Sequence, residues 1–90
     1  MGNNRYKILI IEDEANIRSF IKVNLEASDY QVLCAETGAL GMMMYASHHP
    51  DLIILDLGLP DQDGLDLIRK IRETDTIPII VLSARSNEKD

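Results

Sequence analysis

Three short apolar runs punctuate the chain, Ile8 to Ile11, Leu52 to Leu55 and Ile79 to Leu82, each built from Ile, Leu or Val. Their hydrophobicity is continuous and does not alternate, the pattern of strands covered on both faces in a parallel sheet. Gln31 to Ala35 is a weaker fourth strand candidate. Ile17, Phe20, Ile21 and Leu25 follow i, i+3, i+4, i+8 spacing, which predicts a first helix. Its apolar stripe would lie against the sheet while Arg18, Lys22 and Glu26 face water. A second helix is predicted after Thr37, a good N-cap, through Met42, Met43 and Met44 to about His48, because Pro50 forbids continuation. The methionines read as adaptable core filler. A third helix has Asp63 as N-cap and Asp66 three residues on, a variant capping box. Leu65, Ile68 and Ile71 are its predicted buried face, and Arg69, Lys70, Arg72 and Glu73 its solvated one. Pro78 introduces the last strand.

This βαβα alternation predicts an α/β fold with parallel strands and right-handed crossovers. Ninety residues suffice for one domain with a thin core. With 46% hydrophobic and 27% charged residues, the chain reads as soluble and globular. Its net charge of −6 and scattered basic residues lack the footprint needed to neutralise nucleic-acid phosphates, so direct nucleic-acid contact is not expected. The single cysteine, Cys34, permits no internal disulfide and reads as a small buried hydrophobe without a basic neighbour. A reducing, cytoplasmic setting is expected, since no apolar run reaches membrane length and no signal-peptide core is present. His48 and His49 suit a helix C-terminus, and their isolation from other His or Cys residues argues against zinc.

In an open parallel sheet, sites form beyond the carboxyl ends of the strands, where strand order reverses. That rule selects Glu12 and Asp13 after the first run, Asp56 after the second and Ser83 after the last. Each acid alone could be a helix cap, and Asp13 could merely start the first helix. Together they form a cluster whose mutual repulsion calls for a cation. Mg2+ fits, since it takes carboxylate, carbonyl, water and phosphate oxygens. A carboxylate beside it can attack an activated phosphoryl group, and Asp56 is the natural nucleophile.

The segments IIEDE, LIILDLGLPDQDG and PIIVLSA resemble the hallmark segments of two-component response-regulator receiver domains, and the resemblance covers essentially the whole chain. It implies a flavodoxin-like, doubly wound sheet in which the strands present here take the order 2-1-3-4. It further implies that Asp13 and Asp56 bind Mg2+ directly, with Glu12 assisting through water and the Gly58 carbonyl completing the protein ligands. Asp56 would take its phosphoryl group from a sensor histidine kinase. Ser83 matches the hydroxyl that moves towards the phosphoryl group, and Ala84 the small residue that leaves room for it. Pro60 and Gly64 match the loop and helix start after the nucleophile, although both also shape turns without chemistry. The module would be no turnover enzyme, assisting only its own phosphorylation and dephosphorylation.

Receivers resemble a five-stranded sheet, whereas the sequence ends at Asp90, soon after the fourth run. On this reading residues 1–90 are the N-terminal part of a receiver without an output domain, the DNA contact belonging to that absent domain. The phosphoryl-contacting lysine and the aromatic switch residue would also be missing, and Lys89 does not fill the lysine's place. Thr76 to Leu82 would then be an exposed edge, and the stripe of Ile17, Phe20 and Ile21 partly uncovered, so self-association as a dimer or larger is expected. Other readings remain. An interaction-only pseudo-receiver would carry the acids as relics. An aspartyl-phosphate phosphatase often needs an acid where Gly58 stands. Dinucleotide binding lacks a G-x-G-x-x-G after the first run.

Overall fold

Four parallel strands alternate with three helices along residues 6–82, the part of the chain that this computed structural model describes. In chain order they are β1 (Lys7–Ile11), α1 (Ala15–Ala27), β2 (Gln31–Ala35), α2 (Gly38–His48), β3 (Leu52–Asp56), α3 (Gly64–Arg72) and β4 (Ile79–Leu82). The sheet order is β2-β1-β3-β4, as the resemblance implied. Since β2 lies on one side of β1 and β3 on the other, strand order reverses at the β1–β3 boundary, the position beyond whose carboxyl ends such sheets place their sites. The weak candidate Gln31 to Ala35 is a full edge partner, paired from Lys7↔Gln31 to Ile11↔Ala35.

Continuous apolar strands bury both faces. Leu9, Ile11, Ile53 and Leu55 form the main core with Leu67 and Ile71 of α3, and Met42, Met44 and Tyr45 of α2 pack against it. Each fully buried Leu or Ile stabilises the fold by about 1.5–3 kcal/mol relative to exposure. Ile8 and Ile10 project to the other face and are also buried, on the side where Leu25 of α1 borders Ile8. Gly41 lets α2 approach β1, because a Cβ there would meet Ile11 Cδ1 at 2.5 Å.

Several side chains depart from the expected faces. In α1 the stripe is rotated: Ile21 and Leu25 are half-buried, but Ile17 is exposed and Phe20 is 71% exposed. Arg18 takes an inward place one turn before Ile21 and two before Leu25, and it is half-buried instead of facing water. In α3, Leu65 is exposed and Leu67 is fully buried, so the inner stripe runs Leu67, Ile68, Ile71. Asp66 pairs with Arg69 at 2.8 Å in place of the predicted reciprocal cap, while Asp63 does cap Leu65 N at 3.0 Å. Met43 is exposed between two packed methionines, as helical geometry requires. β4 spans Ile79–Leu82, the run that the sequence predicts.

Long-range polar links tie the amino rim of the sheet, among them one from α2. Tyr45 Oη donates to Asp75 Oδ2 at 2.6 Å, and Ile77 N donates to Asp75 Oδ1 at 3.0 Å, tying α2 to the turn before β4. The tyrosine bond holds the Asp75 carboxyl below its ordinary value, and the same bond raises the phenol. Cys34 is half-buried, and burial pushes its thiol up; Lys22 and Arg18 oppose the rise, so the thiol does have basic neighbours, contrary to expectation. Among the described residues no helix is long and apolar enough to cross a membrane.

Candidate functional site

Register brings the acids together. Ile11 pairs with Leu55, so the next position on each strand, Glu12 and Asp56, shares one rim at the switch point. The strand ladder still fixes Glu12, whose amide donates to Ala35 O at 3.0 Å. Glu12, Asp13 and Asp56 each offer a carboxylate oxygen within 4.8 Å of the others, the single such group of potential metal ligands among the described residues. The acids that the sequence selected are therefore neighbours in space, and His48 and His49 join no such group.

Glu12 and Asp56 are each only 2% exposed and Asp13 is half-buried. Three carboxylates so close, two of them buried, repel one another and disfavour simultaneous ionisation. The effect is visible at Glu12, whose carboxyl is raised above its ordinary value first by burial and further by Asp56 and Asp13. The Glu14 amide, 2.9 Å from Glu12 Oε2, opposes that rise. Asp13 Oδ1 is buried without a hydrogen-bond partner. An orphaned buried acceptor is costly, and an all-oxygen set beside it suits a hard divalent cation. The residues present therefore fit Mg2+.

The loop after Asp56 is pinned at several points. Gly58 bridges Asp63, Gly64 N donates to Leu57 O at 3.1 Å, and Leu59 is buried in the core. Gly58, Pro60 and Gly64 thus belong to one tight connection, with Pro60 exposed and Gly64 buried. Ser83, Ala84 and Lys89 lie outside the described residues.

Two contributors escaped the sequence reading. Arg18 Nη1 donates to the carbonyls of Glu12, at 2.8 Å, and Asp13, at 3.3 Å. Asp61 reaches from the loop to the start of α2, where its oxygens accept from Gly38 N at 2.8 Å and Ala39 N at 2.9 Å. Thr37, the predicted cap, takes Leu40 N at 3.1 Å, so the two residues divide the helix's free amides. The Gly38 and Ala39 amides hold the Asp61 carboxyl below its ordinary value of 3.8. Its contribution to stability is therefore full above that value and is lost as pH falls through the depressed folded one. Asp61→Asn is expected to lower the urea midpoint at neutral pH, with the difference from wild type closing below pH 3.8. Paired urea titrations check this, and a difference that widens in acid contradicts it.

Comparison with known proteins agrees with this geometry. The profile of the response regulator receiver domain family matches residues 8–90. The KDP operon transcriptional regulatory protein KdpE of Escherichia coli is 52% identical over 83 residues, covering 92% of this chain and 37% of that protein. The virulence transcriptional regulatory protein PhoP of Salmonella typhimurium is 44% identical over 85 residues, covering 93% of this chain and 38% of that protein. Among solved structures, the receiver domain of the Francisella response regulator 1452 superposes with a TM-score of 0.84 at 27% identity, covering 92% of this chain and 69% of that one. The chain thus spans little more than a third of the curated relatives it matches.

Proposed function

Since this chain belongs to the response-regulator receiver domain family, we propose that Asp56 accepts a phosphoryl group from the phosphohistidine of a sensor histidine kinase. Receiver domains are signalling modules, and the curated relatives are named as transcriptional regulators. The observation that carries the reading is the close set of Glu12, Asp13 and Asp56 at the switch point, with an orphaned acceptor on Asp13.

On this reading Asp13, Asp56 and the Gly58 carbonyl hold Mg2+, and Glu12 assists through water. The bound cation would neutralise charge on the phosphoryl oxygens during transfer. An Asp56 carboxylate oxygen forms the new P–O bond as the P–N bond of the phosphohistidine breaks, the electron pair leaving on the imidazole nitrogen. Burial of Asp56 shields the acyl phosphate from water, and the strand ladder fixes the direction of approach. By the family resemblance, Ser83 is the hydroxyl that would respond to the phosphoryl group and Ala84 stands at the family's small-residue position. No turnover activity belongs to the module, and its setting is cytoplasmic. The 90 residues are the N-terminal part of a receiver within a longer transcriptional regulator, and DNA contact belongs to another part of that protein.

The test is labelling with radioactive acetyl phosphate. Wild type is expected to label with Mg2+ and lose the label when EDTA is present, and Asp56→Asn is expected not to label at all. Equal labelling of Asp56→Asn would falsify the assignment of the acceptor, and failure of wild type to label would favour an interaction-only pseudo-receiver.

Self-association belongs to the same reading. Ile80 and Val81 on β4 are 50% and 41% exposed, and Phe20 and Val23 on α1 are more exposed still, which leaves apolar surface on an edge strand and a helix. The net charge of −6 opposes contact between copies, so association is expected to strengthen with salt. Light scattering over a concentration series checks this; a monomer at high concentration and high salt excludes it.

A further inference from the structure

We propose that Arg18 is a positioning residue for the cation site, its guanidinium fastening the backbone that carries Glu12 and Asp13 and so setting their carboxylates against Asp56. The inference rests on the reading of that pocket as a Mg2+ site. It starts from a weakness in the chain. β1 ends at Ile11 and α1 begins at Ala15, so Glu12, Asp13 and Glu14 bridge two elements. The ladder bond from Glu12 N to Ala35 O fixes the first of them, and the helix N-cap Glu14 makes no side-chain cap bond. Asp13 sits between, with carboxylates on three sides of the problem: its own, that of Glu12 and that of Asp56. Repulsion within such a set tends to spread the segment.

Arg18 counters that tendency from one turn inside α1. Its own amide donates to Glu14 O at 2.9 Å, which seats residue 18 in the first helical turn and lets its side chain turn back over the segment. Nη1 then spans two successive carbonyls, Glu12 O at 2.8 Å and Asp13 O at 3.3 Å. The residue is half-buried, so water competes poorly for these bonds. Both bonds go to main-chain carbonyls and not to the carboxylates, so its effect is on the course of the backbone. A planar fork with fixed donors suits this task, and the single flexible ammonium of lysine reproduces it only in part. Groups that orient the ligands of a metal without touching it govern affinity through preorganisation.

The experiment is isothermal titration calorimetry of the full chain with MgCl2, comparing wild type, Arg18→Met, Arg18→Lys and Tyr45→Phe. Methionine keeps much of the apolar stem and removes every donor. Arg18→Met is expected to weaken Mg2+ binding by about 10-fold, and Arg18→Lys to fall between it and wild type. Tyr45→Phe breaks the link to Asp75 at the opposite rim; it lowers stability and is expected to leave Mg2+ affinity unchanged, which separates positioning from general loosening. Wild-type affinity in both Arg18 variants overturns the proposal, as does an equal loss in Tyr45→Phe. Should Arg18→Met not fold, Arg18→Lys alone decides, weaker binding supporting the proposal and unchanged binding overturning it. No Mg2+ binding by wild type instead overturns the reading of the pocket and the proposal with it.

Discussion

Asp13→Ala is expected to stabilise the chain when no divalent cation is present and to abolish the stabilisation that Mg2+ gives wild type. The two effects have one origin. Asp13 Oδ1 is a buried acceptor without a partner, and its carboxylate is crowded by those of Glu12 and Asp56. An unsatisfied buried polar group costs about 1–3 kcal/mol, so truncation at Cβ relieves a penalty as well as a repulsion. Mg2+ relieves the same penalty by ligation, and a ligand at a hundred times its Kd adds about 2.7 kcal/mol. Thermal melts with Mg2+ and with EDTA read both effects. The variant should melt above wild type in EDTA and show no shift with Mg2+. A variant less stable in EDTA, or one that keeps the Mg2+ shift, means that Asp13 is a structural cap and not part of a cation site.

Gly64→Ala is expected to damage fold and site together. A Cβ on residue 64 would lie 2.7 Å from Leu57 Cα and 2.8 Å from Asp56 O, and both obstacles are backbone. Backbone cannot rotate aside as a side chain can, and the Gly64 amide is itself bonded to Leu57 O at 3.1 Å. The strain is steric, since no described glycine has positive φ. Overpacking costs about 1–3 kcal/mol, a large share of the roughly 5–15 kcal/mol by which domains are stable. Whatever movement relieves the clash displaces Asp56 or the next residue, so Mg2+ affinity should fall with stability. Urea denaturation and calorimetry on the same protein check the pair. Wild-type affinity in a variant of unchanged stability contradicts the close approach. Gly64→Val should be worse.

What could be read from sequence, and what could not, divides by range. The strands Ile8 to Ile11 and Leu52 to Leu55 announce themselves because burial on both faces needs unbroken apolar runs. Thr37 and Asp63 are legible as caps because a side chain that bonds an amide two or three residues ahead is a local event. The acids Glu12, Asp13 and Asp56 are legible because strand ends in such a sheet converge by topology, and the receiver motifs name the same positions. Asp61 was not legible: it caps a helix that begins 23 residues earlier, and no periodicity encodes that reach. Helical spacing points Arg18 to water, but the helix is rotated so that its guanidinium meets the carbonyls of Glu12 and Asp13. The same rotation exposes Ile17 and Phe20, which a helical wheel alone cannot fix without knowing which neighbours cover the helix.

The most direct measurement is anomalous X-ray scattering from crystals of the chain soaked in MnCl2, with Mn2+ standing in for Mg2+. One anomalous peak is predicted within coordination distance of the Asp13 and Asp56 carboxylates, with the Gly58 carbonyl turned towards it and Glu12 one water away. Mn2+ bound elsewhere on the molecule, with that pocket empty at saturating metal, contradicts the account.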